Sequence, residues 1–368
     1  MPHMAGATVG LTVRVAVSHE PDTGLAWEAL QSALFDMQPD ALILFCSSGH
    51  ALNLIAEQLA NTRLPVLACT SAESAPTIQA MAMRGANLSL QRFAFAPLSS
   101  GLAEAASDAK MQALLDAVQN RRAEAHQVGL LLVDGLSRTE EWLAHTLYTK
   151  LPQVPFLGGS AGDELRFERT AVYWQGAFHS DMAVFGLFEL DTPISLFQSE
   201  LVGGRGEPMV ITLADVQRRA VLQLNGLPAA EVYAAALGIR EDALTPSIWR
   251  QHPLMVTVGN DQVARAISHI ASDGALVCLS AVESGLIATI GEAARHPTDI
   301  NDLVQRAQMR VDNVAGLLLI DCALNVRRED ASSPTHAIPT ITLRSFGEQF
   351  NGQHLNASVA GLAFGASP

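Results

Sequence analysis

Polar and apolar residues alternate along Thr8–Val17 (TVGLTVRVAV), a β-branched stretch that predicts a strand. From Leu25 to Phe35 the apolar positions move to helical spacing, leading to Pro39-Asp40. Ala41–Cys46 is a short unbroken apolar run, the pattern of a strand buried on both faces. Ser47-Ser48-Gly49 then opens a helix through about Ala60, and Leu64–Cys69 is another buried strand. The same layout returns over residues 128–164: apolar strand, Ser/Gly break, amphipathic helix, proline, apolar strand, Ser-Ala turn. Pro65 is offset from Pro155 by the same distance as Ala72 from Gly162. Such self-similarity predicts two related strand-helix-strand halves, about 8–98 and 120–200, within an N-terminal domain spanning 1–200. Asn87–Phe95 reads as a strand and Ser99–Gln119 as an Ala-rich helix. In the second half Ser137 and Glu140 fit the S-x-x-E capping box, and Lys150 ends that helix on the side the dipole favours for a cation.

The stretch Val154–Leu190 combines the most glycine with the strongest flanking strands. An apolar run breaks at Gly158-Gly159-Ser160-Ala161-Gly162-Asp163 and resumes as strands at Thr170–Trp174 and Met182–Glu189, joined by a turn with Gly176, His179 and Asp181. Glycine lets backbone approach closely because no Cβ intervenes. The break therefore reads either as a tight packing turn or as a ligand-facing loop with Asp163 aimed into a cleft. Leu201–Pro208 (LVGGRGEP) reads as a domain boundary, followed by a second domain over 208–368. There Met209–Leu213 predicts a strand and Asp215–Leu224 has helical spacing. A further helix, Ala229–Leu237, is closed by Gly238. Leu254–Val258, Val263–Ile270, Ala275–Ser280, Val314–Asp321 and Thr340–Ser345 predict strands, and Ile300–Val311 a helix. The fold class is mixed α/β in two domains.

At 368 residues, 49% hydrophobic and 16% charged, the chain can bury two large cores. A net charge of −14 argues against nucleic acid or an anionic membrane as the main partner. No apolar run long enough to span a bilayer and no basic leader is present, so a cytoplasmic location is expected. Cys46, Cys69, Cys278 and Cys322 form no C-x-x-C pair and read as buried thiols. Signatures of hydrolases, zinc proteases and nucleotide-binding loops are missing. A haem site needs only an axial residue and an apolar pocket, so motif absence weighs little against it. The polar residues set among apolar strands are Asp163, Arg265, Arg327, Glu348, His354 and Asn356. An Arg and a carboxylate could clamp an amino-acid-like ligand, since guanidinium pairs bidentately with carboxylate. For Glu348 and His354 a structural hydrogen-bond network explains the pattern equally well. A thiol enzyme built on Cys322 or Cys69 is the third reading.

The segments LGGSAGDELRF (157–167), TAVYWQGAFHSD (170–181), MVITLADVQRRAVLQLNGLPAAEVY (209–233), DCALNVRRE (321–329) and FGEQFNGQHLNASVAGLAFG (346–365) resemble the FIST family of sensory proteins. The closing segment is similar to stand-alone FIST proteins described as haem-binding nitric-oxide sensors acting on a histidine kinase. The resemblance implies a tandem of FIST N and FIST C domains that binds a small molecule, relays its state to such a partner, and has no catalysis of its own. A homodimer is compatible with it. Candidate ligand-binding residues are Gly158, Gly159, Ser160, Asp163, Arg265, Glu348, His354 and Asn356, with His354 and His179 as axial candidates if haem is bound. The sequence departs from the family at ACTSAES (68–74), where a G-C-T-x-x-G-E pattern is usual, and at His354-Leu355-Asn356-Ala357-Ser358, where serine replaces threonine.

Overall fold

The unbroken apolar runs become the central strands of separate sheets, because a strand covered on both faces needs no polar side. The computed structural model describes residues 10–99, 108–258, 261–293, 300–325 and 338–367. Arg327 lies outside the described residues, as does the start of the Ser99–Gln119 helix.

The chain opens with β1 (Thr12–Ser18), α1 (Thr23–Leu34), β2 (Ala41–Ser47), α2 (Leu52–Thr62), β3 (Val66–Ser71) and β4 (Ile78–Arg84), arranged β1-β4-β2-β3. β2 and β3 are parallel; β4 is antiparallel to β1 and β2. A second unit has β5 (Ser89–Phe95), α3 (Asp108–Gln119), β6 (His126–Val133), α4 (Glu140–Lys150) and β7 (Phe156–Ser160). It adds the hairpin β8 (Val172–Trp174) and β9 (Ala177–His179), then β10 (Ala183–Leu190), and repeats the pattern as β5-β10-β6-β7.

The same pattern occurs a third time, split by an insertion. It begins with β11 (Ile194–Glu200). The insertion holds β12 (Val202–Asp215), β13 (Ala220–Leu224), β14 (Leu227–Pro228), α5 (Ala229–Ala236), α6 (Pro246–Gln251), β15 (Leu254–Val258), β16 (Asp261–Arg265), β17 (Ile267–Ile270), β18 (Leu276–Cys278) and β19 (Ile287–Ala293). The third unit resumes with α7 (Ile300–Gln308), β20 (Val314–Cys322), β21 (Thr340–Ser345), the hairpin β22 (Glu348–Phe350) and β23 (Gln353–Leu355), and β24 (Ser358–Gly365). Its sheet order is β11-β24-β20-β21, with β20 and β21 parallel and β24 antiparallel to its neighbours.

A proline carbonyl sets the parallel register in each unit by accepting from the central strand: Leu42 N donates to Pro65 O, Gly129 N to Pro155 O and Leu317 N to Pro339 O, at 3.1, 3.0 and 2.9 Å. Proline has no N–H to lose at a strand's first position. The turns after β3, β7 and β21 close a ring of backbone bonds. Ala72 N donates to Arg344 O, Phe346 N to Ser160 O and Gly162 N to Thr70 O, at 2.8, 2.9 and 3.1 Å. A Cβ on Gly162 would sit 2.5 Å from that of Ala72, so the ring demands glycine there. Hairpins are passed between units as well: β8 pairs with β3 and β22 pairs with β7. One core joins the inner faces of all three sheets, with Phe45, Leu132, Leu157, Ile320 and Phe364 within it. α1 and α2 cover the outer face of the first sheet, and α3 and α4 that of the second.

One expectation is corrected. Asp215–Leu224 is the end of β12, a turn and β13, not a helix; Arg219 turns in the left-handed region at φ 53°, and Ala220 and Asp215 are cross-strand partners. Cross-strand pairing overrides an apolar spacing that fits a helix equally well. The stretch Leu201–Pro208, read as a domain boundary, is largely strand: Val202 to Arg205 pair with β19, and a register shift between Arg205 and Met209 absorbs Pro208. Among the described residues no helix is long and apolar enough to cross a membrane.

Candidate functional site

The hairpin β22–β23 places Gln349 directly opposite His354, so both side chains share one face. Glu348 and its partner Leu355 take the other face, because side chains alternate along a strand. β22 also pairs with β7, Glu348 against Gly159 and Gln349 against Gly158. The glycine stretch and the C-terminal tail are therefore neighbours. The Gln349 amide lies 3.0 Å from Ser160 Oγ and 2.9 Å from His354 Nδ1. Gly347, at φ +146°, packs against the imidazole, where a Cβ would come within 2.7 Å of Nε2.

Facing this hairpin is the start of α4. Glu140 and Glu141 occupy its first turn, where the helix dipole favours negative charge. Ser137 does not cap it: Thr139 takes the cap position without a side-chain bond to the helix, Ser137 Oγ lies 3.0 Å from Thr139 Oγ1, and Glu140 turns away into the protein. Arg219, from the turn between β12 and β13, reaches both carboxylates, Glu140 at 2.7 Å and Glu141 at 2.5 Å, and also donates to Leu279 O. Glu141 accepts a further bond from Ala281 N at 2.7 Å, and Arg265 Nε donates to Ala281 O at 2.6 Å. Asn356 accepts from Ser280 Oγ at 2.5 Å. Helix start, tail hairpin and inserted sheet thus meet on one buried charged cluster.

Burial pushes the Glu140 carboxyl up against the pull of Arg219. Burial also opposes ionisation of Glu141, but opposite charge and the Ala281 amide outweigh it and hold that carboxyl below its ordinary value. Burial brings His354 down to about 4, so the ring is neutral at neutral pH and its attraction for Glu141 operates only in acid. At neutral pH the hold on Glu141 comes from Arg219 and the amide. Burial likewise lowers Arg265. His354 Nε2 lies 3.7 Å from Glu140 Oε1, too far for a hydrogen bond. Three buried atoms of the cluster have no hydrogen-bond partner: His354 Nε2, Glu140 Oε2 and Gln349 Oε1. Buried polar atoms are normally paired, so three orphans in one place call for an explanation such as a water or an ion.

The other predicted residues have their groups engaged. Asp163 accepts from the amides of Phe167, Glu168 and Arg169 at 2.9, 2.6 and 2.8 Å; it organises its own loop rather than a cleft. Gly158 and Gly159 continue β7 instead of bending it, and Cβ atoms there would strike Leu131 and Leu343. Glu348 lies between Ser345 and Ser358, and burial raises it to about 8. His179 lies in β9 of the first sheet, with Nε2 3.2 Å from the Trp174 carbonyl oxygen. The structure brings together Ser160, Arg265 and His354, and leaves Asp163, Glu348 and His179 out of their cluster. Sequence reasoning missed Glu141, Arg219 and Gln349 and took Glu140 for a cap. The adjacent pair Glu140-Glu141 at a helix start was the available signal.

His354 does not fit a haem: its side chain is fully buried, with Nε2 3.7 Å from Glu140 Oε1 and close against Gly347. A nearby cleft lined by Gln198, Met255, Val263, Leu355 and Asn356 among others has a volume of about 10 Å³, room for roughly one water and far too little for an organic ligand. All four cysteines are buried; burial raises Cys46 and Cys278 to about 12 and pushes Cys69 and Cys322 up as well, so they are thiols at neutral pH.

Fold and site together define a two-domain α/β protein whose domains meet on a buried charged cluster. The chain belongs to the FIST family: residues 40–227 match the FIST N domain and residues 229–351 the FIST C domain. A comparison with curated proteins finds no match. Among solved structures it is similar to a cyanuric acid hydrolase described as an evolutionary innovation by structural concatenation, at 10% identity and TM-score 0.34 over 96% of this chain and 100% of that one. A cyanuric acid hydrolase from A. caulinodans gives 11% identity and TM-score 0.34 over 96% and 99%. Likeness at that level carries no argument about fold or activity. The FIST domains are consistent with a small-molecule sensor in signalling.

Proposed function

We propose that the chain senses a small polar ligand at the junction of its FIST N and FIST C domains and relays occupancy to a signalling partner such as a histidine kinase. The observation that supports this is the set of three orphaned buried atoms, His354 Nε2, Glu140 Oε2 and Gln349 Oε1, contributed by the start of α4 and the C-terminal hairpin, beside Arg219 from the inserted sheet. A ligand that pairs them stabilises one packing of the domains over others, and differential affinity is what shifts a conformational population. Haem with nitric-oxide response is the finer version implied by the closing segment, but the closed surroundings of His354 favour a much smaller guest. The test compares thermal unfolding of wild type and His354→Gln with a panel of metabolites, divalent metals and haem, together with visible spectra before and after haem and nitric oxide. A ligand that raises the melting temperature of wild type but not of the variant supports the junction reading. A Soret band that shifts with nitric oxide and is lost in the variant would restore the haem version. No His354-dependent stabilisation by any member of the panel would end the junction reading.

A further inference from the structure

The ligand atoms of Glu140, Glu141 and His354 all lie within 4.8 Å of one another, and the three residues are buried or half-buried. Two carboxylate oxygens and an imidazole nitrogen are a donor set for a first-row divalent metal, with bonds of roughly 2.0–2.2 Å. Ligand atoms around a tetrahedral ion stand about 3.4 Å apart, so the widest of these pairs closes by up to about 1.4 Å on binding. Independent of the acidic pair, the His354 side chain is fully buried, its Nε2 has no hydrogen-bond partner, and it faces Glu140. As it stands, the Gln349 NH2 donates to Nδ1, which leaves the ring proton on Nε2; turning the Gln349 amide over so that its unpartnered Oε1 accepts from Nδ1–H frees Nε2 for a metal and supplies the outer contact of a metal-bound histidine. An ion fits where a carbon skeleton does not, because it needs little volume beyond its ligands.

We propose that Glu140, Glu141 and His354 form a site for a divalent transition-metal ion, such as Zn²⁺ or Mn²⁺, and that this ion is the ligand sensed at the junction. This rests on the junction reading above. Arg219 is the competitor, because its guanidinium now holds the same two carboxylates at 2.7 and 2.5 Å. Metal entry displaces it and breaks the ion pairs that tie α4 to the turn before β13. The link between binding and packing is then direct: cation in, ion pairs between α4 and the inserted sheet out.

The experiment strips the full-length protein with a chelator and titrates Zn²⁺ and Mn²⁺ against a chromophoric competitor. Co²⁺ serves as a spectroscopic probe of the nitrogen and oxygen ligands. One equivalent of metal is expected, bound at least tenfold more weakly by His354→Gln and by Glu140→Gln, and more tightly by Arg219→Met. Circular dichroism checks that each variant folds; if His354→Gln does not, Glu141→Gln and the wild-type Co²⁺ spectrum decide the matter. Failure of wild type to bind a stoichiometric ion, or unchanged affinity in the folded variants, would overturn the assignment. If metals fail while another small molecule gives His354-dependent stabilisation, the metal site falls and the junction reading stands; if nothing does, both fall.

Discussion

Two buried polar regions lie on either side of the β22–β23 hairpin and are built in opposite ways. Around the turn after β7, Asp163 takes three amides, the three strand ends exchange backbone bonds in a ring, and Glu348 sits between two serines. At the junction, Glu140, Glu141 and Arg219 pair, yet Glu140, Gln349 and His354 each keep an atom without a partner. A satisfied network holds shape; a partly satisfied one is costly in a low-dielectric interior unless something else completes it. The turn around Asp163 has its hydrogen bonds met within its own loop, whereas the helix start that looks like a cap carries a carboxylate oxygen without a partner.

The largest expected effect that tests this contrast is at Arg219. Arg219→Met leaves two carboxylates buried without their cation and should cost about 3–5 kcal/mol in urea denaturation. The triple change Glu140→Gln, Glu141→Gln, Arg219→Met should recover most of that loss, and recovery of less than half would mean that the pairs do more than neutralise one another. Asp163→Ala removes the acceptor of three amides and should cost about 3 kcal/mol with no effect on ligand response, which keeps scaffold and site distinct.

The pH dependence separates the two sides of the hairpin. Glu348 binds a proton more tightly folded, at about 8, than at its ordinary 4.5, so its contribution is complete below about 4.5 and is lost as pH rises through 8. His354 has the opposite sign: at about 4 against an ordinary 6.5, its contribution is present above 6.5 and lost as pH falls through 4. Melting temperatures should therefore decline on both flanks, by up to about 1.4 kcal/mol of stability per pH unit for each group. Glu348→Gln should flatten the alkaline flank alone. Smallest of all, Ser137→Ala should change stability by less than about 0.5 kcal/mol, since Ser137 caps nothing; a loss near 1 kcal/mol would reinstate the capping box.

Much of the first two units was legible. Ala41–Cys46, Leu64–Cys69 and the matching prolines predict β2, β3 and their copies in the second unit, since local periodicity records which faces are buried. The third copy was hidden, because the insertion of β12 to β19 separates β11 from β20, and neither half looks like a repeat alone. The LVGGRGEP stretch shows glycine and proline without showing that a bulge would carry them inside a strand.

The sequence alone determined where strands and helices could form, that two of the units were related, and that the protein belonged with the FIST domains. Tertiary structure alone decided which charges meet. Arg219 and Glu140 are 79 positions apart, and Ser160 and Gln349 are 189 apart. A residue's periodicity reports the burial of its own face, whereas an ion pair depends on what the rest of the chain brings to that face.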